Sequence, residues 1–217
     1  AVIPHGEYGF FDEPHNPRDR RSARQSLGLG EDDETVLFFG HIRRYKGLDV
    51  LLDAWPEIVA VRPAARLVIA GDPGRLPRTD RLDLERRAAE AGAIHRFEYI
   101  PFEDVGRYFA AADVAALPYR HISQSGILYL ALALDVPVVA TRVGGLAEVL
   151  EDRATALLVP PESPPSLAEA IAELLADPDL RSRLAQAGRH LAREHSWPSI
   201  AARTESVLAS LAAQSHR

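Results

Sequence analysis

The sequence has neither cysteine nor methionine among its 217 residues. The absence of cysteine excludes disulfides and thiolate metal sites, and it fits a reducing compartment, so we expect a cytoplasmic protein. An excess of positive charge is missing too. The formal net charge of −6 argues against a protein that wraps a nucleic-acid backbone, and the basic residues must act locally.

Long apolar runs are also missing. The longest, residues 127–134, is far shorter than the roughly 20 residues that a membrane-spanning helix needs. The chain opens without Met in the apolar Ala1-Val2-Ile3-Pro4, which is typical of the tail of a strand already under way. We therefore expect a fragment of a longer protein, with a processed natural terminus as the alternative.

Short apolar runs alternate with helical stretches along the chain. Because little polar alternation occurs inside these runs, we interpret them as strands of a parallel sheet that is covered on both faces. The predicted strands are 36–39, 67–70, 97–100, 114–117, 136–140 and 156–159. The pattern predicts an α/β fold with a doubly wound, six-stranded, mostly parallel sheet of Rossmann-like type, whose ligands bind at the carboxyl ends of the strands.

Helices are predicted between the strands and after the last one. The first has an apolar stripe that runs from Leu48 to Val59. The others are predicted at 80–91, 103–111, 127–134, 166–176, 178–194 and 198–213, the last with an apolar face free to pack on the sheet or a neighbouring domain. Ser166 and Glu169 predict a capping box. We divide the chain into an entry segment (1–35), a Rossmann-like domain (36–196) and a C-terminal helix (197–217).

The loop after the first predicted strand is suited to an anion. Gly40 leaves room for a ligand to approach the backbone, and Arg43 and Lys46 follow it. A guanidinium offers a planar fork for two phosphate oxygens and an ammonium offers a mobile point charge, so together they suit a diphosphate. A tight turn with solvated cations is the alternative.

A second such loop, residues 121–127, follows the fourth predicted strand. We predict Ser123 or Ser125 as the N-cap of the next helix, and Gly126 leaves the first amides of that helix open to a phosphate. A cap needs no ligand, but two loops of this kind at one sheet edge favour a shared ligand.

A third loop contains Gly144 and Gly145 and reaches toward the same crevice. Paired glycines usually permit a turn and nothing more. Glu148, just beyond them, caps the short helix there or accepts a sugar hydroxyl, and the structural role is the favoured one. The histidines have no spacing that suggests a metal cage.

Read in order, short motifs resemble the C-terminal domain of the retaining family 4 glycosyltransferases, which have two Rossmann-like domains in the GT-B arrangement. The resemblance covers nearly the whole chain. The motifs are Val2-Ile3-Pro4-His5-Gly6, Phe39-Gly40 with Lys46-Gly47, Ala70-Gly71-Asp72, Ala112-Asp113-Val114 with Leu117-Pro118, Pro137-Val138-Val139-Ala140-Thr141 with Gly144-Gly145 and Glu148, and Ser196-Trp197.

The resemblance implies a domain that binds a nucleotide-diphosphate sugar for retaining transfer to an acceptor held by a second domain, absent here. The diphosphate would lie against an Arg and a Lys of the first loop and the N-terminus of the helix after the fourth strand. Lys46 matches directly. His41 stands where the family has its Arg, so Arg43 takes that role, and these two cations are the candidate catalytic residues. No metal or other cofactor is implied.

The remaining implied contacts are to the donor and to partners. The base would be received by Tyr99, Ile100 and Pro101. The family's two glutamates, eight residues apart, fall at Ile122 and Leu130, so we expect the donor sugar to be read by other groups instead. The candidate substrate-binding residues beyond the base segment are Gly40, His41, Ser123, Gln124, Ser125, Gly126, Ile127, Gly144 and Gly145.

The resemblance therefore predicts a hexosyltransferase-type enzyme whose isolated domain binds nucleotide weakly and transfers nothing. Association with a membrane surface would come through the missing domain, and no nucleic-acid partner is expected. A noncatalytic Rossmann-like module that binds a phosphorylated ligand or a protein partner is the competing interpretation. A sugar-nucleotide epimerase is a third, although its catalytic carboxylates have no obvious counterpart here.

Overall fold

The computed structural model describes residues 19–215, with side chains through residue 210, and contains one six-stranded sheet in the order β3-β2-β1-β4-β5-β6. All neighbouring strands are parallel. The strands are β1 (Glu34–Phe39), β2 (Ala65–Ala70), β3 (Ile94–Arg96), β4 (Val114–Leu117), β5 (Val138–Thr141) and β6 (Leu157–Val159). The predicted doubly wound α/β fold is confirmed, with every described strand pair parallel.

Helices cover both faces of the sheet. They are α1 (Arg20–Leu27), α2 (Leu48–Val61), α3 (Arg78–Glu90), α4 (Phe102–Ala111), α5 (Gly126–Ala133), α6 (Gly144–Val149), α7 (Pro164–Ala176), α8 (Pro178–Glu194) and α9 (Trp197–Ser215). A 3-10 turn, Arg44–Lys46, precedes α2. Each of the five strand-to-strand connections from β1 to β6 contains a helix, as right-handed parallel crossovers require.

Successive side chains of a strand belong to two separate hydrophobic cores. Val36 and Phe38 of β1 pack with residues of α2 and α7 on one face. Leu37 and Phe39 pack with residues of α4 and α5 on the other face. Because both faces are buried, the strands contain uninterrupted apolar runs, and this is why the sequence predicted most of them correctly.

The chain reverses its winding direction between β1 and β4, which are neighbours in the sheet. The loops after these two strands therefore lie side by side at the carboxyl edge, where open α/β sheets bind ligands. The amide of Arg120 donates to the carbonyl of Tyr45 at 2.7 Å and joins the two loops. Both sequence-predicted anion loops are brought together at this point.

The third strand is where the prediction was wrong. The chain pairs with β2 at Ile94–Arg96 and leaves the sheet before Phe97, so that the predicted residues 97–100 form a loop. β3 is an edge strand, and its outer side tolerates polar residues such as His95 and Arg96. An apolar run is therefore a poor guide to an edge strand.

A helix was also missed in the predicted entry segment. Asp19 caps α1 by accepting from the amides of Arg21 and Ser22, and Gly28 ends it. The helix is anchored mainly by the buried guanidinium of Arg24, which pairs with Asp113 at 2.7 Å and donates to several backbone carbonyls. An apolar-periodicity argument cannot find a helix that is anchored by a buried charge.

At the other end, α7 begins at Pro164 with Ser163 as its N-cap, so the predicted capping box at Ser166 is wrong. Proline at the first helical position is favoured because its missing amide donor has no role there. In α9, Ile200 is buried while Leu208 is exposed. The side chain of Leu211, and the opening motif at residues 2–6, lie outside the described residues.

Candidate functional site

The loops after β1, β2, β3 and β4 surround one open cleft of about 580 Å³, which we call the Lys46 cleft. The residues that line it are Phe39, Gly40, His41, Tyr45, Lys46, Gly71, Asp72, Tyr99, Ile100, Val105, Tyr119, Ile122, Gln124, Ser125, Gly126, Ile127 and Leu130. The cleft lies at the switch point of the sheet, and its size suits a small-molecule ligand.

Lys46 is the cation of the cleft. Its residue is 6% exposed, and its Nζ lies 5.4 Å from the centroid of the Tyr119 ring. No carboxylate within residues 19–215 forms an ion pair with it. Burial, and secondarily the charge of Arg43, lower the pKa of Lys46 to about 8. A buried ammonium without an acidic partner is a group that an anionic ligand would stabilise.

Gly40 makes room for that ammonium. A Cβ on Gly40 would lie 3.0 Å from Lys46 Nζ and 3.0 Å from the side chain of Ile127. The lysine and the first turn of α5 therefore converge on the same bare stretch of backbone. A ligand placed there would meet the ammonium and the helix N-terminus together.

The N-terminus of α5 supplies backbone donors. Of the two predicted N-cap candidates, Ser123 and Ser125, the N-cap is Ser125, and its hydroxyl accepts from the amide of Leu128 at 3.2 Å. Gly126 and Ile127 are the first two residues of the helix, where amides have no acceptor within the helix. Aligned amide dipoles of this kind favour a bound phosphate.

The opposite wall is formed by the segment after β3. Tyr99 is 71% exposed, and with Ile100 it presents a flat surface to the cleft. His41 and Asp72 lie near each other, with 3.8 Å between His41 Nδ1 and the Asp72 carboxylate. The exposed ring of Tyr99 on this wall can stack against a planar group.

Arg43 does not line the Lys46 cleft. Its guanidinium donates to the carbonyl of Pro73 at 2.6 Å and to that of Ile42 at 3.0 Å. It borders instead a second cleft, which we call the arginine cleft, of about 600 Å³. The arginine cleft is lined by Arg43, Arg44, Leu48, Asp49, Leu76, Thr79, Asp80, Asp83, Leu84, Arg87 and Arg120. Of the two predicted cations, the structure places only Lys46 in the shared crevice.

Several other predicted site residues lie beside the Lys46 cleft rather than on its wall. Pro101 and Ser123 are absent from its lining. Gly145 donates its amide to the carbonyl of Ile122 at 2.9 Å, and Gly144 packs against the same carbonyl. The paired glycines therefore support the loop that carries Gln124. Glu148 is exposed within α6 and does not cap it, because the N-cap is Val143.

The wall of the cleft formed by the segment after β4 and by α5 is largely apolar. Ile122, Ile127 and Leu130 line the cleft, and the first and last of these occupy the positions where the resemblance expects carboxylates. Among the described lining residues, Asp72 is the one acid, and it lies on the opposite side near His41.

Sequence reasoning missed Tyr45, Asp72 and Tyr119 as cleft residues. Tyr119 lies two residues after the end of β4 and is 1% exposed. The apolar run of β4 does not predict that a tyrosine beyond the strand is buried. One signal was available for the central cation, since Lys46 is the only lysine in a chain that otherwise uses arginine for positive charge. An ammonium and a guanidinium are not interchangeable, so a lone lysine is informative.

Residues 19–215 contain no group of three or more histidine or acidic side chains placed to hold a metal ion. In the same region, no helix combines the length and apolarity that crossing a bilayer would need.

Comparison with known proteins identifies the family. The family model for group 1 glycosyl transferases matches residues 33–177, which include the whole Lys46 cleft. The chain belongs to this family. The match favours the transferase over the noncatalytic module.

Two curated relatives illustrate the similarity. The chain is 35% identical over 220 residues to a D-inositol 3-phosphate glycosyltransferase of Nocardioides sp., with 95% of this chain and 47% of the relative covered. It is 34% identical over 206 residues to a GDP-mannose-dependent monoacylated alpha-(1-6)-phosphatidylinositol monomannoside mannosyltransferase of Corynebacterium glutamicum, with 91% and 52% covered. The chain thus spans about half the length of these relatives.

Solved structures share the fold. Sucrose-phosphate synthase of Thermosynechococcus elongatus superposes with a TM-score of 0.81 at 27% identity, over 99% of this chain and 53% of that one. The Anabaena protein HepE in complex with UDP superposes with a TM-score of 0.82 at 22% identity, over 97% and 57%. At that identity, HepE shows a shared fold.

Proposed function

We propose that this chain is the donor-binding domain of a retaining glycosyltransferase of family 4, and that the Lys46 cleft holds a nucleotide-diphosphate sugar. The observation that carries the proposal is the buried ammonium of Lys46, which faces the N-terminus of α5 and has no described acidic partner. A diphosphate supplies the missing negative charge to both groups.

In this proposal the parts of the donor have separate places. The diphosphate binds Lys46 and the amides of Gly126 and Ile127. The base lies on Tyr99 and Ile100. The sugar extends toward Gln124, where Ile122 offers no carboxylate. HepE, whose structure contains UDP, has the same fold, and this similarity supports a nucleotide at this edge of the sheet.

The chemistry follows from where charge develops. When the bond between the anomeric carbon and the diphosphate breaks, negative charge accumulates on the leaving oxygen, and a fixed ammonium and amide dipoles stabilise it. Lys46 therefore acts as the electrophilic group. Arg43, which donates to Pro73, contributes its charge at longer range. We propose transfer of a hexosyl group without a metal ion.

The whole enzyme would need a second Rossmann-like domain for the acceptor, because the relatives are about twice as long as this chain. We expect the chain alone to bind nucleotide and to transfer nothing. We further propose that the enzyme works in the cytoplasm and reaches membrane-bound acceptors through that second domain.

Calorimetry with UDP, GDP and ADP at millimolar concentration tests the proposal. We expect one of them to bind, and we expect Lys46→Ala to weaken that binding by roughly 1 to 3 kcal/mol, the value of a charge-assisted bond. Arg44→Ala is the matched control, because Arg44 is an exposed cation two residues away that pairs with Asp80 outside the cleft. Absence of heat with all three nucleotides, or equal losses in both variants, would overturn the proposal.

A further inference from the structure

The ring of Tyr119 is held rigidly beneath the ammonium of Lys46. Lys46 Nζ lies 5.4 Å from the ring centroid. Tyr45 packs edge-on against the same ring, with 6.3 Å between centroids and 77° between planes. The hydroxyl of Thr141 on β5 donates to the carbonyl of Tyr119 and fixes its backbone. The ring is 1% exposed, packs against Tyr45 and has its backbone fixed by Thr141, so it keeps its place beside the lysine.

The face of the Tyr119 ring can stabilise the charged form of Lys46. Burial disfavours the charged form of Lys46, which lowers its pKa to about 8, and the nearby guanidinium of Arg43 acts in the same direction. No acidic side chain of residues 19–215 pairs with the ammonium to offset these effects. The face of an aromatic ring carries partial negative charge and stabilises a desolvated cation within about 6 Å.

We propose that Tyr119 is a positioning residue for Lys46, and that its ring face keeps the ammonium charged and directed into the Lys46 cleft while no anion is bound. The inference rests on the proposed function, because it concerns the group that would receive the donor diphosphate. On this proposal, an uncharged aromatic side chain keeps Lys46 in the form that binds an anion.

The hydroxyl of Tyr119 is not the active part. It is buried, the hydroxyl of Ser125 is its polar neighbour, and within the described part of the chain no hydrogen bond of good geometry reaches it. Burial raises the pKa of this phenol, so it stays protonated. Tyr119→Phe removes the hydroxyl and keeps the ring, and it is therefore the reference against which the ring itself is tested.

Other titratable groups border the same cleft, and their titrations must be distinguished from that of Lys46. They are His41 from the loop after β1, Tyr45 of the 3-10 turn, Asp72 from the loop after β2 and Tyr99 from the segment after β3. Arg43 acts on Lys46 from outside the cleft. Because Lys46 is the only lysine, a sample labelled with 13C at lysine gives one side-chain signal, which reports its titration directly.

The experiment compares Tyr119→Phe with the same protein carrying pentafluorophenylalanine at position 119, which keeps the shape of the ring and reverses its face charge. We expect Tyr119→Phe to titrate at Lys46 like the wild type and to unfold at an unchanged temperature. In the fluorinated protein Lys46 should lose its proton at lower pH. Its affinity for UDP should fall about fivefold at pH 8 and recover at pH 6.5, the size expected for a desolvated cation over a ring.

Equal Lys46 titrations in the two proteins would overturn the inference, as would a changed titration in Tyr119→Phe. A merely structural role would lower the unfolding temperature and weaken binding equally at both pH values. Should the fluorinated protein fail to fold, Tyr119→Leu carries the same expectation. If UDP, GDP and ADP all fail to bind, the proposed function is wrong, yet the titration of Lys46 still decides whether the ring acts on it.

Discussion

The Lys46 cleft and the arginine cleft have nearly equal volumes, about 580 and 600 Å³, and lie on opposite sides of one 3-10 turn. Their charges are arranged in opposite ways. In the arginine cleft Arg44 pairs with Asp80 and Arg120 pairs with Asp49, so these two cations are neutralised within the protein. In the Lys46 cleft a single buried ammonium has no described acidic partner. A count of positive charges would favour the arginine cleft as the anion site, whereas the absence of an acidic partner favours the Lys46 cleft, as we propose.

Arg120 in the arginine cleft has a structural role, because its guanidinium is bonded within the protein. Arg120 donates to both oxygens of Asp49, at 2.9 and 2.7 Å, and to the carbonyl of Arg44 at 2.6 Å. These bonds raise the pKa of Arg120, with Glu162 adding to the effect. A guanidinium whose three nitrogens all donate within the protein holds two loops together and has little left to offer a ligand.

A substitution at Gly47 tests whether both clefts depend on the 3-10 turn that this residue ends. We expect the largest loss of stability from this change. It has φ +67°, and a Cβ would lie 2.0 Å from the carbonyl oxygen of Pro118. Gly47→Ala should therefore lower the free energy of unfolding by about 3 kcal/mol, measured by urea denaturation with circular dichroism. UDP binding should weaken as well.

Gly92→Ala is the matched control for that change. Gly92 has φ +66°, but a Cβ there would meet nothing within 4 Å. Only the backbone strain remains, so the loss should be about 1 to 2 kcal/mol with no change in UDP binding. Similar losses in the two variants would show that the contact with Pro118 does not hold the turn.

The pH dependence separates the unpaired ammonium from the paired guanidinium groups. Below pH 8 Lys46 is charged in both the folded and the unfolded chain, so its burial penalty is present in full. Between pH 8 and 10.5 the folded chain has lost a proton that the unfolded chain keeps, and stability should rise with pH. The gain should be on the order of 3 kcal/mol relative to Lys46→Met, which has no such proton.

Ligand affinity should change in the opposite direction. A diphosphate binds the charged lysine, so the affinity for UDP should fall as the pH rises through 8. Calorimetry at pH 7 and pH 9 measures this, with denaturation in the same buffers for stability. If both quantities moved in the same direction, Lys46 would not be the titrating group that faces the ligand.

Arg120→Ala gives the smallest expected effect and completes the contrast. Its side chain is 27% exposed, so the loss of its bonds to Asp49 and Arg44 should destabilise the fold by about 1 to 2 kcal/mol. Affinity for UDP should stay within about twofold of the wild type. A larger loss of binding than of stability would assign the arginine cleft to the ligand after all.

The central strands were predictable because burial on both faces leaves an apolar run within each strand's own sequence. Strands buried on both faces contain continuous apolar runs, so the central residues of β1, β2 and β4 are evident from composition alone. The edge strand β3 escaped because one side of it is solvated, and α1 escaped because Arg24 anchors it through polar bonds. Patterns of apolar residues report buried surface and miss elements held in other ways.

The location of the candidate site in the fold could be predicted from the sequence. The side chains that line it were predicted less well. Loop position followed from topology, and cap chemistry limited the N-cap to Ser123 or Ser125, of which the structure shows Ser125. The direction of Arg43 depended on the carbonyl of Pro73, thirty residues away, which no local pattern contains. Tyr119 was missed for a related reason, because its importance comes from the lysine above it.

A single lysine in the whole chain has a practical consequence. An amine-selective acylating reagent meets only two targets, the α-amino group and Lys46. Because Lys46 becomes neutral near pH 8, it should react under mild alkaline conditions. A ligand bound against Lys46 should protect it from the reagent. The extent of labelling, measured by mass spectrometry, should then report the fraction of the cleft that is occupied, whatever the chemistry of the ligand.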